Sequence, residues 1–175
     1  GTSLFEANKP IMVMQYAYSA NWDGGGCQYD PFMFPVTAVE QYTKLTTFQT
    51  PKNNAQGGAN VSEFNNNLLN VLAVGDPTDN AKSIEMLSSV SLDGRLIRTI
   101  DPAFVNNRIP ETNIYWARTN VEAGTHVLRA NTPFGGYIYG FATCDSYGWP
   151  AATNYAVLAE TDTLEPILSW KRECD

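Results

Sequence analysis

Residues 125–130 alternate without a break, with His126, Leu128 and Ala130 on one side and Thr125, Val127 and Arg129 on the other. That is a strand period. The alternation returns at residues 137–141, after Pro133, Gly135 and Gly136. Those three residues are breakers, so the stretch is expected to form two strands joined by a turn. The second strand is expected to run into a defined loop at residues 145–150, where Asp-Ser-Tyr-Gly-Trp-Pro supplies a polar start, a glycine and a proline.

The same pattern recurs along the chain. Residues 11–18, an almost continuous apolar run after Pro10, are too short for a typical helix and predict a buried strand. Residues 45–50 and 67–74 predict two more, with Leu69, Val71 and Ala73 opposite Leu68, Asn70, Leu72 and Val74 in the second. Asp93-Gly94 between apolar segments is a strong hairpin signal. Residues 112–121 alternate with Ile114 and Trp116 sharing a face, residues 155–158 suggest a last strand, and residues 81–89 fit a helical turn or a strand equally. No long helical pattern exists to cross over a parallel sheet. The expected fold is therefore all-β, an antiparallel β-sandwich of jelly-roll or immunoglobulin-like general form with little helix. A chain of 175 residues buries roughly 70% of its unfolded surface, enough for one core. Residues 1–9 read as a lead-in, 10–160 as the single sandwich domain, and 161–175 as a C-terminal extension or linker to a following module.

Charge and cysteine usage narrow the function classes. The net charge is −7, with no window of concentrated Lys or Arg, so a phosphate backbone is repelled and nucleic acid is not expected as a partner. No apolar run approaches the roughly 20 residues of a membrane helix, and there is no signal-peptide pattern. A chain that starts Gly-Thr-Ser and ends Lys-Arg-Glu-Cys-Asp is expected to be a mature or excised piece of a longer protein. Cys27, Cys144 and Cys174 are too widely spaced for a local metal knuckle, and a Cys3His site with His126 lacks paired ligand spacing. One disulfide plus one remaining thiol is expected, implying an oxidising compartment. Cys27 and Cys144 each precede an aspartate loop and are paired on that ground, leaving Cys174 for a neighbouring module; other pairings stay open. Asn60-Val61-Ser62 is the one N-x-S/T acceptor and matters if the protein is secreted by a eukaryote.

Chemistry-bearing residues concentrate in two segments. Asp23, Asp30 and Asp145 offer hard oxygen ligands for calcium if their loops meet, but the contiguous calcium-loop pattern is missing, and turn-building by Asp30 and Asp145 is the preferred reading. Trp22, Tyr29, Tyr147 and Trp149 occupy the same segments and suit either stacking on sugars or a protein partner, or latching the loops over the end of the sandwich. His126 is the one imidazole, and its neighbours Leu128 and Ala130 favour a structural role over a Ser-His-Asp site. Neither a G-x-S-x-G nor a P-loop pattern occurs.

A set of short motifs runs through most of the chain in order: Gln15-Tyr16, Asp30-Pro31-Phe32-Met33, Glu40-Gln41-Tyr42, Phe48 with Thr50-Pro51, Leu92-Asp93-Gly94, Ile109-Pro110 with Thr112, Gly124-Thr125-His126, Pro133-Phe134-Gly135 with Tyr137, Tyr139-Gly140-Phe141 and Asp145-Ser146-Tyr147-Gly148. With them the chain resembles the amino-terminal domain family of IgG Fc-binding protein, found in extracellular proteins of animals and bacteria. Trp149 stands where that family usually has tyrosine, and Ala152 where it often has glycine. The resemblance implies a non-enzymatic binding or adhesion module of a larger secreted or cell-surface glycoprotein, in mucus-like or matrix settings, with extracellular protein, glycoprotein or glycan partners. It does not imply antibody binding and carries no assigned ligand residues. The alternatives are a lectin-like, calcium-assisted carbohydrate-binding domain and, more weakly, a hydrolase or self-processing domain using His126. No cofactor is required on the first reading; calcium belongs to the second. The oligomeric state is open.

Overall fold

The computed structural model describes residues 3–18, 30–51, 64–142, 145–154 and 168–172. The strands in chain order are β1 (Ser3–Ala7), β2 (Met14–Ala17), β3 (Phe32–Pro35), β4 (Thr43–Gln49), β5 (Asn66–Val74), β6 (Ser91–Leu92), β7 (Arg95–Leu96), β8 (Ile114–Val121), β9 (Thr125–Ala142), β10 (Asp145–Ala152) and β11 (Leu168–Arg172). The helices are α1 (Asn80–Leu87) and the single turn α2 (Ile97–Ile100), with 3-10 turns at Val39–Gln41 and Pro102–Val105. Every strand pair is antiparallel, as an all-β chain without crossover helices must be.

Seven strands form one curled sheet built around β9. Phe134 pairs with both Thr43 and Ala73, and Leu128 with both Thr46 and Leu92. One edge of β9 therefore carries β4 and then β10, the other β6 and then β5, with β7 and β8 beyond them. The sandwich is thus made by one sheet curling over its own core. Even-numbered residues of β9 from His126 to Ala142 are buried all along it and meet Leu69, Val71 and Ala73 of β5, Tyr115 and Ala117 of β8, and Phe48 of β4. Leu87, Val90, Ile97 and Phe104 close that core from the helical side.

The turn expected at residues 133–136 does not exist: β9 continues for 18 residues. The breakers mark an exchange of partners instead. Pairing with β4 and β6 runs to Arg129, resumes with β4 only at Phe134, and that residue also begins the ladder with β5. Pro133 falls in the gap, where the donor it lacks breaks no ladder bond. Side chains bridge the gap instead: Asn131 N–H donates to Ser89 Oγ at 2.9 Å, and the Thr132 hydroxyl donates to the Val74 carbonyl. Gly135 serves packing, since a Cβ there would lie 2.2 Å from the ring of Tyr42. Burial pushes the Tyr42 hydroxyl pKa up, helped by the nearby Tyr137 and Glu40 charges.

The loop expected at residues 145–150 is strand β10, paired with β9 from Asp145↔Ala142 to Ala152↔Gly136 with an irregularity after Pro150. Gly148 is a contact position, not a turn: a Cβ there would meet the Phe32 ring at 2.5 Å. Residues 11–18 are also corrected, because only Met14–Ala17 is a strand and Tyr16 is 62% exposed. Among the described residues it pairs with β3 alone.

Residues 81–89 resolve as helix because Asp79 caps α1, accepting from Lys82 N–H at 3.1 Å. Asp76 braces the approach by accepting from Thr78 and Asp79 N–H and pairing with Lys82 at 2.8 Å, so its carboxyl is held well below the usual range. The Asp93-Gly94 turn forms as expected, with φ of +50° and +81° at the two residues. The lead-in and the C-terminal extension pair with each other, β1 against β11 in register Ser3↔Arg172 to Ala7↔Leu168. The strand expected at residues 155–158 lies outside the described residues.

Candidate binding surfaces

His126 is buried on the core face of β9, 7% exposed, with both ring nitrogens engaged. Nδ1 lies 2.7 Å from Asp93 Oδ2 and Nε2 lies 2.8 Å from the Glu122 carbonyl, while the ring packs against Phe48 at 5.3 Å. The Thr50 hydroxyl also donates to the Glu122 carbonyl at 2.8 Å and accepts from Gly124 N–H at 2.8 Å. No hydroxyl faces an imidazole nitrogen in this set, so the geometry is that of a structural tie. Asp93 completes the tie through Val127 N–H at 2.8 Å. Burial pushes the Asp93 carboxyl pKa up, but the hydrogen bonds from His126 and Val127 and the proximity of the imidazole outweigh it, and the net shift is downward.

The Ser146 hydroxyl donates to the Asp30 carbonyl, holding the start of β3 against the start of β10. Asp30 is exposed and Asp145 half-buried. Asp23 lies outside the described residues, and among the described residues no three His, Cys, Asp or Glu side chains converge to hold a metal. Cys27, Cys144, Asn60, Trp22 and Tyr29 also lie outside the described residues.

Tyr147 and Trp149 share the core side of β10 and stack on each other at 4.2 Å and 28°. Tyr147 is 8% exposed; its hydroxyl donates to Asn67 Oδ1 at 2.6 Å and its ring sits edge-on to Phe64 at 5.1 Å. It is a packing residue, and burial pushes its pKa up. Trp149 packs partly against the core and partly lines an open cleft of about 340 Å³ with Thr46, Thr47, Gln49, Pro150 and Thr153. This cleft is the seam of the curled sheet between β4 and β10.

A second surface was missed by the sequence reading. The inner face of the β2–β3 hairpin sets Phe32 and Phe34 on the aromatic ladder of β9: Phe34 is 5.1 Å from Tyr137, and Phe32 is 6.2 Å from Tyr139 and 6.1 Å from Phe141. By alternation the other face turns outward, and there Tyr16 and Met33 are directly opposite each other, 62% and 58% exposed. Tyr18, next after β2, and Met12, two residues before it, are 67% and 80% exposed. Residues 19–29, which carry Trp22, Asp23, Cys27 and Tyr29, connect these two strands in sequence. No residue of the apolar run 11–18 signals this exposure locally, because Tyr16 and Met14 read as buried strand residues.

The described residues form a β-rich module with its one histidine tied into the core. The family described as IgGFc binding protein matches over residues 1–140, four-fifths of the sequence, and the chain belongs to that family. Comparison with curated proteins and with solved structures finds no match. Among the described residues no helix is long and apolar enough to cross a membrane.

Proposed function

We propose that the chain is a non-enzymatic, extracellular binding or adhesion module of a larger secreted or surface glycoprotein, and that it holds protein or glycoprotein partners through the outward face of the β2–β3 hairpin and the aromatic- and Asp-rich connection it supports. Membership of a binding-domain family supports the class. The observation that carries the surface is the exposed cross-strand pair Tyr16–Met33, flanked by Met12 and Tyr18. Tyrosine and methionine are enriched in protein interfaces, and a contiguous exposed apolar patch on a rigid hairpin is what an interface needs before it is covered. Phe32 and Phe34 fix the hairpin from beneath, so removing the outward side chains leaves the fold intact. Capture of mucin and matrix glycoproteins by the immobilised chain is expected to fall at least tenfold in the double variant Tyr16→Ser/Met33→Ser. Undiminished capture by a folded variant would reject this surface.

A lectin-like reading is supported by one further contact, the Ser146 hydroxyl on the Asp30 carbonyl, which brings the segments of Asp30 and Asp145 together. On that reading Asp23 joins them around calcium, next to Trp22, Tyr29 and Trp149. Calcium titration of the chain, read by a shift in melting temperature, tests it; no shift with calcium contradicts it. The same contact supports the Cys27–Cys144 disulfide, since Asp30 and Ser146 follow those cysteines by a few residues. Non-reducing peptide mapping is expected to recover that linked pair, and recovery of Cys144 joined to Cys174 would contradict it.

A further inference from the structure

The geometry points to the seam between β4 and β10 as a site for a neutral sugar ring, bound on Trp149 without a metal ion. This rests on the reading of the chain as a binding module, and it uses a site separate from the β2–β3 face.

Three features of the seam carry the inference. The first is the platform. Trp149 is stacked at 4.2 Å on Tyr147, which is itself fixed by its 2.6 Å bond to Asn67 and its edge contact with Phe64. An indole held in this way loses little freedom when a ligand docks on it, and an aromatic surface suits the apolar C–H side of a sugar ring. The second is the polar lining. Thr47, Gln49 and Thr153 offer hydroxyl and amide groups that both donate and accept, matching a ring of hydroxyls. The lining carries no charged residue, although the whole chain has a net charge of −7. Among the described residues, a carboxylate, phosphate or cation therefore finds no counter-charge in this lining.

The third feature is shape, which separates a sugar from a peptide strand. Among the described residues β4 and β10 each pair with β9 alone, so both present a free edge to the seam. An extended peptide adds to a free edge only when that edge is open along its length. Here the Thr46 hydroxyl donates to the Ala151 carbonyl at 3.1 Å and pins the two strands together at one end. What remains is an open cleft of about 340 Å³ lined by residues 46–49 and 149–153, at the lower end of the roughly 300–1,000 Å³ of small-molecule sites.

The test titrates the full chain with neutral oligosaccharides of hexose and N-acetylhexosamine, and with an uncharged extended peptide, reading tryptophan fluorescence and calorimetry in calcium and in chelator. At least one neutral oligosaccharide is expected to bind equally in both conditions. Gln49→Ala, at an exposed rim position, is expected to weaken that binding at least threefold, and Trp149→Phe at least tenfold. Because Trp149 also touches the core, the Gln49 variant keeps the test valid if the Trp149 variant is unstable. Tyr16→Ser/Met33→Ser is expected to bind the sugar as the wild type does, so loss of glycoprotein capture through the hairpin and loss of the sugar site are read separately. Absence of binding by every neutral sugar, binding that needs calcium, binding untouched by the Gln49 change, or binding of the peptide in place of the sugar would each overturn the proposal.

Discussion

At Tyr147 one hydroxyl decides how the start of β5 and the middle of β10 are held together. Its partner Asn67 is 3% exposed and spends its amide on the Phe64 carbonyl, at 3.1 Å. Tyr147→Phe keeps the ring stack but leaves a buried acceptor without this donor, at a cost of about 1–3 kcal/mol. Urea unfolding is expected to show that loss with an unchanged m-value; a loss within error of zero would mean the acceptor finds another donor. Asp93 contributes to stability against acid. Its folded pKa is depressed, so its contribution is fully present above the unfolded carboxylate value, about 3.9, and is lost as pH falls through the folded value. Melting temperature measured from pH 6 to pH 2 is expected to fall more steeply in the wild type than in Asp93→Asn; equal slopes would remove Asp93 from the acid transition. The His126 tie was legible in the sequence as a histidine on an apolar strand face. Its partner Asp93 was read only as a turn residue, because a contact across 33 positions leaves no local signal.

The elements show where local pattern suffices and where it does not. β5 and the first part of β9 are legible as strands with the right division into two faces, because alternation reports a one-sided strand directly. Helix α1 was undecided, since its cap Asp79 sits in an Asp-Pro-Thr-Asp run that reads equally well as a plain loop. Pro133, Gly135, Gly136 and Gly148 were all taken for turn signals. In the structure Pro133 falls at a partner exchange, and Gly135 and Gly148 make room for Tyr42 and Phe32, functions that depend on which strand lies alongside. Gly148→Ala tests this element most sharply, because the added methyl meets ring carbons at 2.5 Å where β3 sits on β10. A loss of about 1–3 kcal/mol is expected in denaturant unfolding, as for overpacking elsewhere. The change is also expected to raise the exposure of Phe32 and Phe34. A neutral substitution would mean that β3 is not seated there.

On the scale of the molecule, the fold divides its aromatic residues between two tasks. Tyr147, Phe134 and Phe104 close the inner core, while Phe32, Phe34, Tyr137, Tyr139 and Phe141 bind the hairpin to the outer face of the sheet. Among the described residues two accessible features stand out, the Tyr16–Met33 face and the Trp149 seam. Of the binding residues named from sequence, Trp149 lines a cleft and Asp30 meets the β10 segment, whereas Tyr147 belongs to the core. The seam could not be read from sequence, because it joins residues 46–49 to residues 149–153 through the curl of a sheet. The family was legible because its motifs are short, ordered and spread along most of the chain, and the match over residues 1–140 agrees. The most direct test of the binding account is amide hydrogen exchange on the full chain, free and bound to a glycoprotein that it captures. The account predicts slowed exchange at Met14–Ala17 and Phe32–Pro35, with β8 on the far side of the sheet unchanged. Protection confined to β8 or to the helical side, with the hairpin unaffected, would contradict it.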